Sequence, residues 1–291
     1  MNLYSSTEMR LLLERHDFFF KKNLGQNFLM NEAQALRIAT AAKETMTDQK
    51  KTLALEIGPG AGSLTLQLAK LFDNVLALEI DPHLISVLDE SLNECKNVTV
   101  INVDALKFDY STLMKDYPDH EIAVCSNLPY YITSEVIMQL LESGLPLSSI
   151  TVLIQKEACN RLISKAGSPD YGAITAAVSY YAKAEKLFLV GPGNFIPKPK
   201  VDSAVLRLTP YTEKPVSVEN EELFFKLIRS AFSARRKTLI NSLSGSLQGV
   251  FSKETLLSCM KKTGLDPTRR GETLTLLEFS LLSNALNQTK S

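Results

Sequence analysis

No stretch of this 291-residue chain approaches the roughly 20 consecutive apolar residues that a membrane-spanning helix requires. The longest apolar runs, such as Ile150-Thr151-Val152-Leu153-Ile154, have the length of a strand. The first 22 residues lack the apolar core and trailing small residues of a secretory signal. They also contain Glu8, Glu14 and Asp17, which transit peptides avoid. No targeting segment is read, so the expected compartment is the cytoplasm, with no membrane partner. Cysteine is sparse: Cys95, Cys125, Cys159 and Cys259 form no Cys-x-x-Cys pair, and His16, His83 and His120 are scattered. These spacings suit neither a zinc site nor a disulfide framework; reduced thiols and no metal are expected. Net charge is also lacking, since 32 basic residues balance 32 acidic ones. No overall field therefore draws in a polyanion, and a nucleic-acid partner must be held by a local basic patch.

What is present suits a globular protein. Hydrophobic residues make up 45% and charged residues 22% of a chain long enough for about two domains. There is no internal repeat. Residues 33–46 have the composition of a helix. Apolar runs at 53–57, 74–80, 98–103, 121–126, 150–155, 185–190 and 201–208 read as strands. Helical periodicity lies between them, at 63–72, from Asp81-Pro82 onward, from Thr133 to about Leu141, and at 156–164 and 173–182. Asp81 is a good N-cap, with Pro82 at the first helical position. Uninterrupted apolar strands alternating with helices predict an α/β fold whose mainly parallel sheet is covered on both faces. The last two strands suggest an antiparallel closing pair. A polar linker at 211–219 leads into a purely helical region.

Two motifs carry chemistry. In Glu56-Ile57-Gly58-Pro59-Gly60-Ala61-Gly62, glycines at a strand-to-helix turn allow a ligand to approach the backbone. Glu79 ends the next strand, where an acid binds ribose hydroxyls, and Asp104 follows the third strand, where it can meet an adenine amino group. The loop alone does not exclude NAD. However, Ser63 occupies the third glycine position of the dinucleotide fingerprint, and S-adenosylmethionine, which has no pyrophosphate, needs no such glycine.

The second motif, Asn127-Leu128-Pro129-Tyr130, ends the fourth strand. The lone pair of adenine N6 is delocalised into the ring, so the amino group is a poor nucleophile. The Asn127 side-chain oxygen and a backbone carbonyl near Leu128 are two acceptors that would bind its N–H groups and localise that lone pair. Pro129 stiffens the carbonyl-bearing backbone, and Tyr130 offers a stacking face to a base drawn out of its helix. This chemistry does not separate RNA from DNA.

These motifs, together with Lys22-Asn23-Leu24-Gly25-Gln26-Asn27-Phe28-Leu29, Asp104-Ala105-Leu106, Gln155-Lys156-Glu157 and Phe232-Ser233-Ala234-Arg235-Arg236-Lys237, run in family order. The chain resembles the ribosomal RNA adenine dimethyltransferases, and within them the small-subunit enzymes. The resemblance implies a Rossmann-like class I methyltransferase domain at 31–211, an N-terminal segment at 1–30 contributing to the cofactor site, and a small all-α RNA-binding domain at 220–291. It implies S-adenosylmethionine as cofactor, and the small ribosomal subunit and its 16S rRNA as partner. The implied reaction is double methylation of two adjacent adenosines near the 3′ end of that RNA; a monomer is the default expectation. Carried over residue by residue, Asn27 and Leu29 would line the cofactor site. Gly58 and Gly60 would approach the methionine part, Glu79 the ribose and Asp104 the adenine. Asn127 would touch both cofactor and target, and Phe195 would pack on the target base. Val103 departs from the family, which often has Gly before Asp-Ala; residues 1–20 carry no family motif, and Phe18-Phe19-Phe20 reads as core packing or a docking edge.

The basic patch falls in the last region. On a helix from Phe224, Lys226, Arg229, Arg236 and Lys237 share a stripe, while Arg235 falls among apolar residues, so a break near Ser233 is expected. Arg229, Arg235, Arg236 and Lys237 are the expected phosphate contacts. Two alternatives remain. One is the related large-subunit methylase of macrolide resistance, against which the Leu of Asn-Leu-Pro-Tyr and the Phe-x-x-Arg-Arg-Lys segment argue. The other is a binding factor on the same fold without catalysis.

Overall fold

Each apolar run read as a strand is one in the computed structural model, which describes residues 1–21, 24–47 and 49–289. In chain order the elements are α1 (Ser6–Arg15), β1 (Phe28–Leu29), α2 (Glu32–Lys43), β2 (Lys51–Ile57), α3 (Ser63–Leu71), β3 (Asn74–Glu79), α4 (Pro82–Ser91) and β4 (Val98–Asn102). These are followed by α5 (Leu113–Asp116), β5 (His120–Asn127), α6 (Thr133–Glu142), β6 (Leu147–Gln155), α7 (Lys156–Leu162), α8 (Ala173–Tyr181), β7 (Ala182–Val190), β8 (Phe195–Ile196) and β9 (Ser203–Pro210). The chain ends in α9 (Glu221–Ala231), α10 (Leu239–Ser246), α11 (Lys253–Lys262) and α12 (Leu276–Asn287). No helix of the described residues is long and apolar enough to cross a membrane.

Two compact units result. The first comprises residues 1–159 and 184–210, the second residues 160–183 and those from 211 onward. The first holds a sheet of order β4-β3-β2-β5-β6-β9-β7. β4, β3, β2, β5 and β6 pair in parallel, and β9 runs antiparallel to β6. The closing strand thus inserts beside β6, between it and β7. β2 is buried from Thr52 to Ile57 on both faces, which is why it reads as an unbroken apolar run. One core cluster joins Ile38 and Ala42 of α2 and Leu64 and Leu68 of α3 to sheet residues such as Ala54, Ala123 and Val205. A second joins Leu84, Val87 and Leu88 of α4 to Leu3, Met9, Leu12 and Phe18.

Residues 1–20, which carry no family motif, hold a helix and part of the core. Ser5 caps α1 by accepting from the Glu8 N–H, and the apolar face of α1 (Met9, Leu12, Leu13) is buried. Phe18 is in the core, Phe20 packs edge-on to it, and Phe19 is 80% exposed. Lys22 and Asn23, the first residues of one family motif, lie outside the described residues.

The second unit includes α8, which the sequence division assigned to the preceding domain. Its aromatic residues explain this: Tyr181 stacks on Phe225 of α9, Tyr180 packs against Phe224, and the Tyr180 hydroxyl donates to Glu221. α9 ends at Ala231 with Phe232 as its C-cap, at the break expected near Ser233. Continuing it would drive Arg235 into the apolar face with Ile228 and Ala231. Ending it lets Arg235 turn out, where it donates to the Pro169 carbonyl and lies 4.0 Å from Glu272. Arg235, Arg236 and Lys237 are all exposed in the turn before α10 and share no helix with Lys226 and Arg229, which are exposed on α9.

Candidate active site

The parallel strands β4, β3, β2 and β5 end at one edge of the sheet. The chain order reverses between β2 and β5, and in open α/β sheets that is where ligands bind. Across this edge, Asp104, Glu79, Gly58 and Asn127 follow one another in space, in an order the chain does not share. A cleft of about 1060 Å³, open solvent included, lies over them. It is lined from the stretches 24–29, 56–64, 78–84, 103–106 and 127–132. Asn27, Leu29, Gly58, Gly60, Glu79, Asp104, Asn127, Leu128, Pro129 and Tyr130 all face it.

The glycine loop is shaped by left-handed backbone. Gly58, Gly60 and Gly62 have φ of 70°, 61° and 91°. Gly58 N–H donates to the Leu78 carbonyl at 2.9 Å, tying the loop to β3. A Cβ on Gly60 would lie 2.8 Å from the Phe28 ring. Gly60→Ala therefore combines left-handed strain with overpacking, together about 2–5 kcal/mol. The expected result is a folded protein with ligand affinity in this cleft lowered at least tenfold, because Phe28 must be pushed away. Wild-type affinity in a direct titration would refute this.

Two carboxylates line the floor. Glu79 is buried; its Oε1 accepts from Asp81 N–H at 2.8 Å and its Oε2 from Gly60 N–H at 3.4 Å. Burial pushes its pKa up to about 7 despite those donors. Glu56, fully enclosed with its Oε2 unpartnered, is pushed up to about 8 by burial, with Thr65 opposing and the nearby Glu79 adding. Sequence reasoning assigned Glu56 no role; its place at the start of the glycine motif was the available signal. The sign of the pH effect follows from linkage. Unfolded carboxylates lose their protons near 4.5, while these two keep theirs to about 7 and 8. Folded protein then binds more protons than unfolded in that window, and stability falls as pH rises through it. Thermal midpoints of the ligand-free protein should drop between pH 5 and 9, less steeply in Glu56→Gln; an identical slope in the variant would contradict the assignment.

The Asn127 side chain has a defined orientation. Its Nδ2 donates to the Asn27 carbonyl at 2.8 Å, so its Oδ1 is the end left to serve as acceptor. Leu128 N–H donates to the Leu153 carbonyl, fixing the strand end to β6. The Pro129 carbonyl is engaged by Ile132 N–H and the Thr133 hydroxyl at 3.3 and 3.1 Å. Tyr130 hydrogen-bonds Ser203 through its hydroxyl at 3.1 Å. Asp104 Oδ1 accepts from Leu106 N–H at 3.0 Å.

The structure places Phe195 apart from the other expected site residues. It is 3% exposed, pairs with Leu29 across β1 and β8, belongs to the core and does not line the cleft. An aromatic residue before Ile-Pro reads the same whether it faces a ligand or anchors a strand pair. The exposed aromatic residue at the cleft is Tyr131, 49% exposed, which drew no attention in the sequence.

A Rossmann-like methyltransferase is the class that this strand order and acid-flanked glycine cleft define. A dimethyladenosine transferase from Plasmodium falciparum superposes with a TM-score of 0.75 at 26% identity, over 90% of this chain and 98% of that one. The 23S rRNA methyltransferase ErmE does so at 0.64 and 25%, over 90% of this chain and all of that one. Relatives named Ribosomal RNA small subunit methyltransferase A are 44% identical in Geobacillus thermodenitrificans, over 94% of both chains, and 43% identical in Alkaliphilus oremlandii, over 97% of both. A family model described as Ribosomal RNA adenine dimethylase matches residues 17–287, and the chain belongs to that family.

Proposed function

We propose that this protein transfers methyl groups from S-adenosylmethionine to N6 of two adjacent adenosines near the 3′ end of 16S rRNA, yielding N6,N6-dimethyladenosine during small-subunit biogenesis. Near-full-length identity to the small-subunit enzymes supports the choice of RNA. The observation that carries the chemistry is the aimed Asn127 amide. In this reading the protein works as a monomer in the cytoplasm.

The cleft suits the cofactor chemically. Left-handed glycines let a ligand reach the backbone at Gly58 and Gly60, Glu79 would accept from ribose hydroxyls, and Asp104 would accept from the adenine amino group. Asn27 and Leu29 would close the site from the N-terminal side, and Asn127 would touch both cofactor and target. When bound, S-adenosylmethionine supplies a methyl group on a positively charged sulfonium. The chain's own residues prepare the nucleophile. Asn127 Oδ1 accepts one N6–H. With the Pro129 carbonyl occupied, the second acceptor role falls to the Leu128 carbonyl. Two acceptors out of the ring plane draw N6 toward tetrahedral geometry and free its lone pair. Tyr130 would stack on the base. No side chain is needed as a strong base, since the amino proton becomes acidic once N6 carries the methyl group and passes to water. Catalysis is then largely positioning. Arg229, Arg235, Arg236 and Lys237 would hold phosphates, so each replacement by Ala should weaken subunit binding and lower its salt dependence by about one unit of slope.

The test is incubation with labelled cofactor and small subunits from cells lacking this modification. Dimethyladenosine in 16S rRNA is expected. Label confined to large-subunit RNA would instead indicate the macrolide-resistance activity, and binding without transfer would indicate a non-catalytic factor.

A further inference from the structure

Asp81 is explained by the sequence as a helix cap, and it does cap α4, accepting from His83 N–H at 3.2 Å. The structure gives it further partners. Its side chain is entirely enclosed, and it receives Lys21 Nζ at 2.8 Å, Gln26 Nε2 at 3.1 Å and His83 Nδ1 at 3.1 Å. A cap needs only the first of these bonds. The His83 ring belongs to α4 itself, but the bonds from Lys21 and Gln26 come from the N-terminal segment that leads over the cleft. Gln26 also closes that segment on itself, its Oε1 accepting from Lys21 N–H at 2.8 Å. Immediately beyond Gln26, the Asn27 carbonyl holds Asn127, and Phe28 lies on Gly60. Toward the floor of the cleft, Asp81 N–H donates to Glu79 Oε1. Asp81 thus holds the cover of the cleft through its buried carboxylate and the acidic floor through its backbone N–H.

We propose that Asp81 is a positioning residue, a latch that holds the segment around Gln26 to Phe28 over the cofactor half of the cleft while its backbone N–H aims Glu79. This rests on the reading of the cleft as the S-adenosylmethionine site. The charge is suited to the task. Burial works against ionisation, but the donors from Lys21, His83 and Gln26 outweigh it and hold the carboxyl below its ordinary range. An ionised acceptor makes stronger bonds than a neutral one. Without the latch, Asn27 and Phe28 would leave their places, and bound cofactor would have to re-dock them at the cost of its own affinity.

The experiment separates latch from cap by working from the other side. Lys21→Ala combined with Gln26→Ala leaves the Asp81 cap of α4 untouched, whereas Asp81→Ala removes both. Titration of the full-length protein with S-adenosylmethionine, and steady-state methylation of small subunits, are the readouts. Losing two bonds to a buried charge should weaken cofactor binding, and raise its KM, about ten- to hundredfold in both proteins. kcat at saturating cofactor should stay within about threefold, because bound cofactor restores the segment. Asp81→Ala added to the double variant should weaken binding little further, since the bonds are shared. Wild-type affinity in the double variant overturns the latch, as does a loss confined to kcat. If Asp81→Ala fails to fold, the double variant decides alone. If the wild-type protein does not bind S-adenosylmethionine, it is the assignment of the cleft that fails.

Discussion

Asn127→Ala should leave a folded protein that still binds S-adenosylmethionine but has lost about 10²–10³ in kcat, the usual cost of one pre-organised hydrogen-bonding group that acts in the transition state. The side chain is half-buried and its one hydrogen bond among the described residues runs to the Asn27 carbonyl, so little of the fold depends on it. What depends on it is the acceptor aimed at the target nitrogen. Asn127→Asp is the sharper variant. It keeps an acceptor but loses the Nδ2 donor, and sets a carboxylate oxygen against the Asn27 carbonyl. The side chain must then turn away, and activity should fall nearly as far as in the Ala protein. Single-turnover methyl transfer to unmethylated small subunits, at saturating cofactor, measures both. A kcat within a few-fold of wild type in the Asp variant would mean that orientation by Asn27 is irrelevant to the reaction.

The largest expected loss of stability lies in the helical unit. Phe224 is fully buried, packed between Tyr180 at 5.2 Å and Phe225 at 5.3 Å between ring centroids. Truncating such a ring to Ala removes its transfer free energy and leaves a cavity, together about 3–5 kcal/mol. A domain's whole stability is about 5–15 kcal/mol. Phe224→Ala should therefore lower the melting temperature of this unit by at least about 12 °C, seen as an early transition in calorimetry. The exposed Lys226, two residues away on the same helix, is the control, and its replacement by Ala should stay within about 0.5 kcal/mol. Equal midpoints for the two variants would contradict the packing described.

The strands were legible because a sheet covered on both faces demands uninterrupted apolar runs, and β2, β3, β5 and β6 are of that kind. The turn glycines were legible because only glycine sits easily at the φ that Gly58 and Gly60 adopt. Helix ends were less so. Periodicity alone would carry α9 past Ala231, because Arg236 and Lys237 continue the polar stripe; the unfavourable place of Arg235 was the local sign that set the expected break near Ser233. The placement of Phe195 was not legible for a related reason. Burial of an aromatic residue depends on what packs over it, and Leu29, its partner across β1 and β8, is 166 residues away in the chain.

The sequence by itself determined the alternation of elements, the residue types at the strand ends and, through its ordered motifs, the family. Those properties are local, since each follows from a residue and its near neighbours. Only the tertiary structure decided that β2 lies beside β5, which sets Gly58 next to Asn127, and that Asn127 points its Nδ2 at Asn27 and its oxygen elsewhere. It also turned Asp81 from a helix cap into the meeting point of Lys21, Gln26 and, through its backbone, Glu79. Apart from the Asp81–Glu79 bond, which spans two residues, those are contacts between segments distant in the chain. They depend on the order in which parallel strands are laid down and on which buried polar group finds which partner, and no local pattern of residues encodes either.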